Sequence, residues 1–230
     1  MSTNAVNGSD ELVIATGNAH KVEEMRAIFA AIAAEMGVTP ARLPKFIGLE
    51  SCGVSIQTPA EVGKTFEENA RIKAIDYAQQ TGRPCLSDDS GLEVNGLNGA
   101  PGVISSHFCT DGEERGMSRS ERDEANNRRL LLDLSELPTD QRNARFVCVM
   151  ALAGSSAEPI LTKGTMEGRI GLSPRVPAGN NGFGYDPLFL VAPDYQSTSA
   201  ELTAREKNRV SHRQAAARQM ISYLLRRKPI

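Results

Sequence analysis

The chain has 230 residues, with 26 Lys and Arg against 28 Asp and Glu and a net charge of −2. That balance excludes the lopsided charge of a protein that coats nucleic acid or rests on a membrane surface, but local basic groups can still hold an anion. A chain of this length buries roughly 70% of its unfolded surface, so it needs no disulfide or structural metal to fold.

The four cysteines, Cys52, Cys85, Cys109 and Cys148, form no CxxC pair, which argues against a zinc site or a disulfide framework. Residues 1–10 are small and polar, lack the segments of a signal peptide, and read as a mobile tail. No apolar run is long enough to cross a bilayer. A reducing, cytoplasmic setting is expected, with residues 11–230 forming a single α/β unit.

Leu12 to Ala15 is a short apolar run that reads as a buried strand, broken at Thr16-Gly17-Asn18. A helical pattern follows, with Val22, Met25, Phe29, Ile32 and Met36 on one side and Gly37 as its C-terminal stop. Strand, glycine turn and helix in this order belong to an α/β domain. Residues 40–63 hold a strand or two. Thr65-Phe66-Glu67-Glu68 then reads as a capping box that opens a helix running to about Gln80.

Cys85 to Val94 suggests two strand pieces around a tight Asp-Asp-Ser-Gly turn. Residues 112–129 are strongly charged and read as an exposed helix with a solvated face. Arg145 to Ala153 and Ile160 to Ile170 read as a hairpin, and Leu188 to Val191 as a further strand. Thr203 with Glu206 and Ser211 with Gln214 are capping boxes for two last helices. The whole reads as one α/β unit folded into two lobes around a cleft.

Several segments carry groups suited to a phosphorylated substrate. Thr16 to Lys21 follows a strand and opens a helix, where unpaired N–H groups attract anions and Lys21 adds a charge one turn in. Taken alone, the pattern favours an ordinary strand-to-helix turn with Asn18 as N-cap. Asn69 and Lys73 are spaced i, i+4 on the apolar side of their helix. That lysine either snorkels outward or points its charge into a site.

Asp88 and Asp89 are adjacent carboxylates that repel unless a cation or donors offset them. Magnesium takes one or two carboxylates with waters and phosphates, and one oxygen of such a pair can accept a proton from attacking water. The same residues also read as an Asp-rich turn capped by Ser90 and Gly91. Phe183, Gly184, Tyr185 and Asp186 combine rings, mobile backbone and a carboxylate, which fits a stacked base or a packed turn equally well. His212 has no second histidine at ligand spacing, so a capping or substrate-contacting role suits it better than metal binding. No GxSxG elbow and no Cys–His arrangement is present. His20 and His107 read most simply as surface or packing residues.

Six segments occur in order: IATGNAHKVEEM (14–25), TFEENARIKA (65–74), LSDDSGLEV (86–94), GAPGV (99–103), NGFGYDPLF (181–189) and EKNRVSHR (206–213). Together they resemble the Ham1/RdgB inosine triphosphate pyrophosphatase family, also called XTP/dITP diphosphatases, over residues 12–225. The resemblance implies an elongated mixed sheet flanked by helices, two lobes with a cleft between them, and a homodimer. It implies Mg2+-dependent hydrolysis of ITP, dITP and XTP to the monophosphate and pyrophosphate.

Carried over by position, Thr16, Gly17, Asn18, Ala19, His20 and Lys21 bind the triphosphate with help from Lys73. Asp89 is proton acceptor and metal ligand with Asp88 beside it, and Ser90 contacts substrate. Phe183, Gly184, Tyr185, Asp186, Lys207, His212 and Arg213 form the nucleotide pocket, with Phe183 stacking on the base. Three departures stand out. Glu61 is the candidate for the acidic metal-associated residue that precedes the TFxEN motif. Ile104-Ser105-Ser106-His107 replaces a tyrosine and Ser-Ala-Arg, and residues 112–129 form a longer charged segment than usual.

Overall fold

The computed structural model describes residues 11–154 and 158–226, without the side chains of Ala19 and His20. The tail expected over residues 1–10 lies outside them. Six strands form one mixed sheet in the order β2-β1-β3-β4-β5-β6. Strands β1 (Glu11–Ile14) and β2 (Lys45–Gly48) are parallel and joined through helix α1 (Ala19–Glu35). Strand β3 (Cys85–Val94) runs parallel to β1. Strands β4 (Asn143–Ala153), β5 (Ile160–Ile170) and β6 (Phe189–Val191) follow antiparallel.

The apolar run of β4 is continuous because both of its faces are covered. Cys148, Met150 and Leu152 join Met25, Phe29 and Ile32 of α1 and Met220 and Ile221 of α5 (His212–Arg226). Val147, Val149 and Ala151 alternate to the other face, under Phe66, Ala70 and Tyr77 of α2 (Phe66–Thr81). A third cluster fills the far ends of β3 to β5. There Leu92, Phe146 and Phe189 meet Phe108 and, from α3 (Arg119–Asp133), Leu130. Each fully buried large side chain stabilises this arrangement by roughly 1.5–3 kcal/mol. The first two clusters make one lobe and the third makes the other, with the middle of β3 between them.

Local signals explain the helix ends. Helix α1 stops at Gly37, whose φ of 65° is left-handed, and Val38 N–H closes on Ala33 C=O at 2.8 Å. Thr65 caps α2 by accepting from Glu68 N–H at 3.1 Å. The Glu68 carboxylate reaches Lys64 N–H at 2.6 Å, so the reciprocal bond falls one residue earlier than expected. The Thr203–Glu206 box forms at the start of α4 (Ala204–Val210) as predicted.

Two expectations are corrected. Cys85 to Val94 is one strand with no turn at Asp88 to Gly91, because β4 pairs with all ten residues, from Cys85↔Ala153 to Val94↔Ala144. Continuous pairing and burial override local turn preference. Residues 112–129 do not form one solvated helix. The helix begins only at Arg119, and it turns Asn126 and Leu130 into the interior.

Candidate active site

The strand conformation of β3 decides what its carboxylates can do. Successive side chains point to opposite faces of a sheet, so Asp88 and Asp89 do not share one environment. Asp88 faces α1 and α5. Its Oδ1 lies 2.7 Å from Lys21 Nζ, its Oδ2 lies 3.8 Å from Arg213 Nε, and Ser90 Oγ donates to Oδ2 at 3.1 Å. Burial pushes the Asp88 carboxyl up, but Lys21, Arg213 and Lys73 outweigh it and hold the group well below the carboxylate range.

Asp89 faces α2. Its Oδ1 accepts from Lys73 Nζ at 2.9 Å and its Oδ2 from Asn69 Nδ2 at 3.3 Å. Lys73 therefore points into the site rather than snorkelling, and it also donates to Glu61 at 3.1 Å. Here burial wins. It raises Asp89 to about 6 against the pull of Lys73, with Glu61 and Asp88 adding to the rise. Burial lowers the Lys73 ammonium, yet Asp89, Asp88 and Glu61 together bring its net shift upward, so it stays charged.

The two faces communicate around an open strand edge. Strand β1 pairs with β3 only at Cys85 and Leu86, and Ala15 N–H closes on Leu86 C=O at 2.8 Å. The edge is next held at Leu92, whose N–H donates to Ser105 Oγ at 2.9 Å. Leu86 C=O and Leu92 N–H both point to this edge, so by strand parity the main-chain groups of Asp88 and Ser90 do too. The turn at Thr16 to Asn18 borders the gap. Lys21 N–H bonds to Asn18 C=O at 3.0 Å, which turns the chain into α1 and sends Lys21 toward Asp88.

On the α5 side lies a cleft of about 360 Å³, lined by Lys21, Ser90, Phe183, Lys207, His212 and Arg213 among others. Phe183 is 42% exposed and ringed by cations: Arg119 Cζ is 4.4 Å from its centroid, Arg213 Cζ 5.5 Å and Lys207 Nζ 5.6 Å. Asp186 is buried and accepts from Phe183 N–H at 2.8 Å and Lys207 Nζ at 2.5 Å, which ties the aromatic loop to α4.

His212 is buried and stacks on Phe146, with centroids 5.2 Å apart and planes at 19°. Burial, then Arg213 and Lys207, lowers its pKa well below the ordinary value, so the imidazole is neutral near pH 7. Its Nδ1 is buried and has no hydrogen-bond partner. Burial disfavours the Arg213 cation, but Asp88 and Glu24 outweigh that, so this cation is retained.

The Ham1 family model matches residues 12–223. A protein named dITP/XTP pyrophosphatase from Exiguobacterium sibiricum is 42% identical over 210 residues, covering 91% of this chain and 94% of its own. One of the same name from Frankia alni is 43% identical over 213 residues, covering 93% and 96%. A solved HAM1 protein from Coxiella burnetii superposes with a TM-score of 0.76 at 38% identity, over 94% of this chain and 99% of that one. The Staphylococcus aureus Ham1 structure gives 0.75 at 34% identity, over 95% and 100%.

The chain belongs to the Ham1 family. Within this Ham1 chain, Asn18, Lys21, Ser90, Phe183 to Asp186, Lys207, His212 and Arg213 line one cleft. Asp89, Lys73 and Glu61 stand together on the opposite face of β3. Lys73 Nζ lies between Glu61 and Asp89, at 3.1 and 2.9 Å. Two carboxylates that already share one cation offer the hard oxygen donors a magnesium ion takes, with waters and phosphates completing its shell. Among the described residues no group of three or more His, Cys, Asp or Glu gathers at metal-binding distance. Asp88 is engaged by Lys21 and Arg213 on the other face, so it does not share a position with that pair.

Sequence reasoning missed the contribution of α3. Arg119, Arg122, Asp123 and Asn126 line the cleft from the second lobe. Arg122 Nη1 sits 3.0 Å from His107 Nε2, so an arginine reaches the region where the segment 104–107 has none. The available signal was a pair of amides, Asn126 and Asn127, amid charged residues that form helix more readily.

Proposed function

We propose that this chain hydrolyses non-canonical purine nucleoside triphosphates, ITP, dITP and XTP, between the α and β phosphates, and so keeps them out of DNA and RNA. The observation that carries the reading is Asp89, a buried carboxyl raised to about 6 beside the charged Lys73, set on β3 between Asp88 and Ser90, whose main-chain groups face the open edge, with the cation-lined cleft on the strand's other face. A base of that strength is mostly ionised at neutral pH yet takes a proton readily. The relatives named dITP/XTP pyrophosphatase support the substrate class.

The triphosphate lies along the open edge of β3, its charge offset by Lys21 and Arg213 on one face and Lys73 on the other. Asp89 accepts a proton from the water whose oxygen bonds to the α-phosphorus, and the bond from that phosphorus to the bridging oxygen breaks. Pyrophosphate leaves and the monophosphate remains. Asp89 and Glu61 would hold magnesium, which when bound would supply Lewis-acid stabilisation of the phosphate oxygens.

The base stacks on Phe183, near neutral His212. A polar pocket that leaves its groups unpaired against adenine can discriminate by roughly 10⁴-fold or more. The working unit is a homodimer in the cytoplasm. Hydrolysis in isotopically labelled water tests the site of attack. Label in the monophosphate supports attack at the α-phosphorus, whereas label in the pyrophosphate, or release of orthophosphate, refutes it.

A further inference from the structure

Gly184 lies beside Phe183 at the cleft, with a left-handed φ of 61°. Both of its main-chain groups are taken by one helix. Its N–H donates to Asp123 Oδ2 at 3.0 Å, and its C=O accepts from Asn127 Nδ2 at 3.0 Å. Asp123 and Asn127 are four residues apart, so they stand on the same face of α3 one turn apart. One turn earlier on that face, Arg119 lays its guanidinium 4.4 Å from the Phe183 centroid.

The same helix holds the neighbouring wall. Asn126 donates to Ser105 C=O at 3.3 Å and Ser106 C=O at 3.1 Å, and accepts from Cys109 N–H at 2.7 Å. Tyr185 closes the circuit by donating from its hydroxyl to Ser105 C=O at 2.7 Å.

Phe183 is 42% exposed, belongs to no helix or strand, and follows Gly182, whose φ is also left-handed at 79°. Inside its own loop Phe183 is held by Asp186, whose Oδ2 accepts from the Phe183 N–H at 2.8 Å and whose N–H donates to the Phe183 C=O at 3.3 Å, and α3 adds a second hold from outside. The bond at the Gly184 N–H sets the plane of the peptide that follows Phe183, and the bond at its C=O sets the next peptide, so together they fix the Gly184 backbone beside the ring.

We infer that Asp123 and Asn127 are positioning residues for the base end of the site: they fix Gly184 so that Phe183 is already aligned when the purine arrives. The inference rests on the substrate reading above and adds to it the element that sets purine affinity. Fixing a side chain before binding removes an ordering cost that otherwise weakens affinity about three- to tenfold. The phosphate end lies on β3, α1, α2 and the first turn of α5, none of them part of α3, so the chemical step is untouched.

The test uses purified full-length protein with ITP, read as kcat and KM separately, for Asn127→Ala, Asp123→Ala, Asp123→Asn and Phe183→Ala. Asn127→Ala and Asp123→Ala are expected to raise KM about three- to tenfold with kcat within about twofold. Asp123→Asn keeps an acceptor for Gly184 N–H and is expected to restore a KM near wild type. In a Phe183→Ala background, Asn127→Ala is expected to add no further rise, since it acts through that ring.

Equal losses with and without Phe183, a fall in kcat alone, or an unchanged KM in both alanine variants overturns the inference. If one alanine variant does not fold, the other carries the same comparison. Phe183→Ala separates the two levels of the argument. If it leaves KM unchanged, the stacking reading itself falls, and this inference with it. If it raises KM while the α3 variants do not, only the inference falls.

Discussion

Replacing Asp89 with asparagine separates chemistry from folding, because the side chains match in shape and differ in charge and basicity. Asp89 Oδ1 lies 2.9 Å from Lys73 Nζ and Oδ2 3.3 Å from Asn69 Nδ2, and an amide oxygen can keep one of these contacts. Loss of a positioned base costs roughly 10²–10⁴ in rate. Stability is expected to move the other way. Burial raises the carboxyl from an ordinary 3.8 to about 6, so the folded chain binds this proton more tightly than the unfolded one. The group therefore favours the fold below about 3.8 and penalises it increasingly as pH rises through about 6.

At 1.36 kcal/mol per pH unit, the difference between 3.8 and about 6 is about 3 kcal/mol near neutral pH. The lost pairing with Lys73 is already inside that figure, because the rise to about 6 is what remains after Lys73 pulls against burial. Asp89→Asn is thus expected to melt at or above the wild-type temperature near pH 7.5, with an advantage that shrinks toward pH 4. Pyrophosphate release is expected to fall at least about a hundredfold. Thermal melts at both pH values, with pyrophosphate release measured on the same samples, check both claims. A folded variant within tenfold of the wild-type rate refutes the base assignment. A large loss of Tm near pH 7.5 refutes the claim that burial of this carboxylate costs stability.

The pH–rate profile follows from the same group. Asp89 must be ionised to accept a proton, so kcat/KM is expected to decline as pH falls through about 6. A profile flat down to pH 4.5 contradicts this. Lys21→Ala is expected to raise KM for the triphosphate at least tenfold and to lower Tm. Asp88 is held well below its ordinary value, so its pairing stabilises the fold above about 3.8 and is lost only in strong acid. Arg213 remains beside it, so the loss is expected to be less than the roughly 3–5 kcal/mol typical of a broken buried pair. Kinetics and melts at neutral pH check both effects, and an unchanged KM rejects the phosphate role.

Elements with strong local codes were legible in the sequence. Strand β4 carries apolar residues on both faces, Thr65 and Thr203 sit at cap positions, and Gly37 has the freedom for a left-handed stop. The middle of β3 was not, because Asp-Asp-Ser-Gly favours a turn and only pairing with β4, more than fifty residues away, holds it extended. That error hid the main feature of the site. Once the segment is a strand, period-two alternation alone sends Asp88 and Asp89 to different faces. Helix packing also decided between snorkelling and site-facing readings of Lys73, since both fit its place on the apolar side of α2. The role of α3 was hidden for a different reason. Asp123 and Asn127 bond to a backbone 61 and 57 residues away, and such contacts leave no periodic trace.

The most direct test of the central claim is turnover of ITP, XTP, GTP, ATP and dTTP by the purified chain, with and without magnesium, resolving pyrophosphate from orthophosphate. The account predicts monophosphate and pyrophosphate from ITP and XTP, loss of turnover on chelation, and almost none with ATP. Orthophosphate as the product, a preference for dTTP, or tight binding without turnover would contradict it.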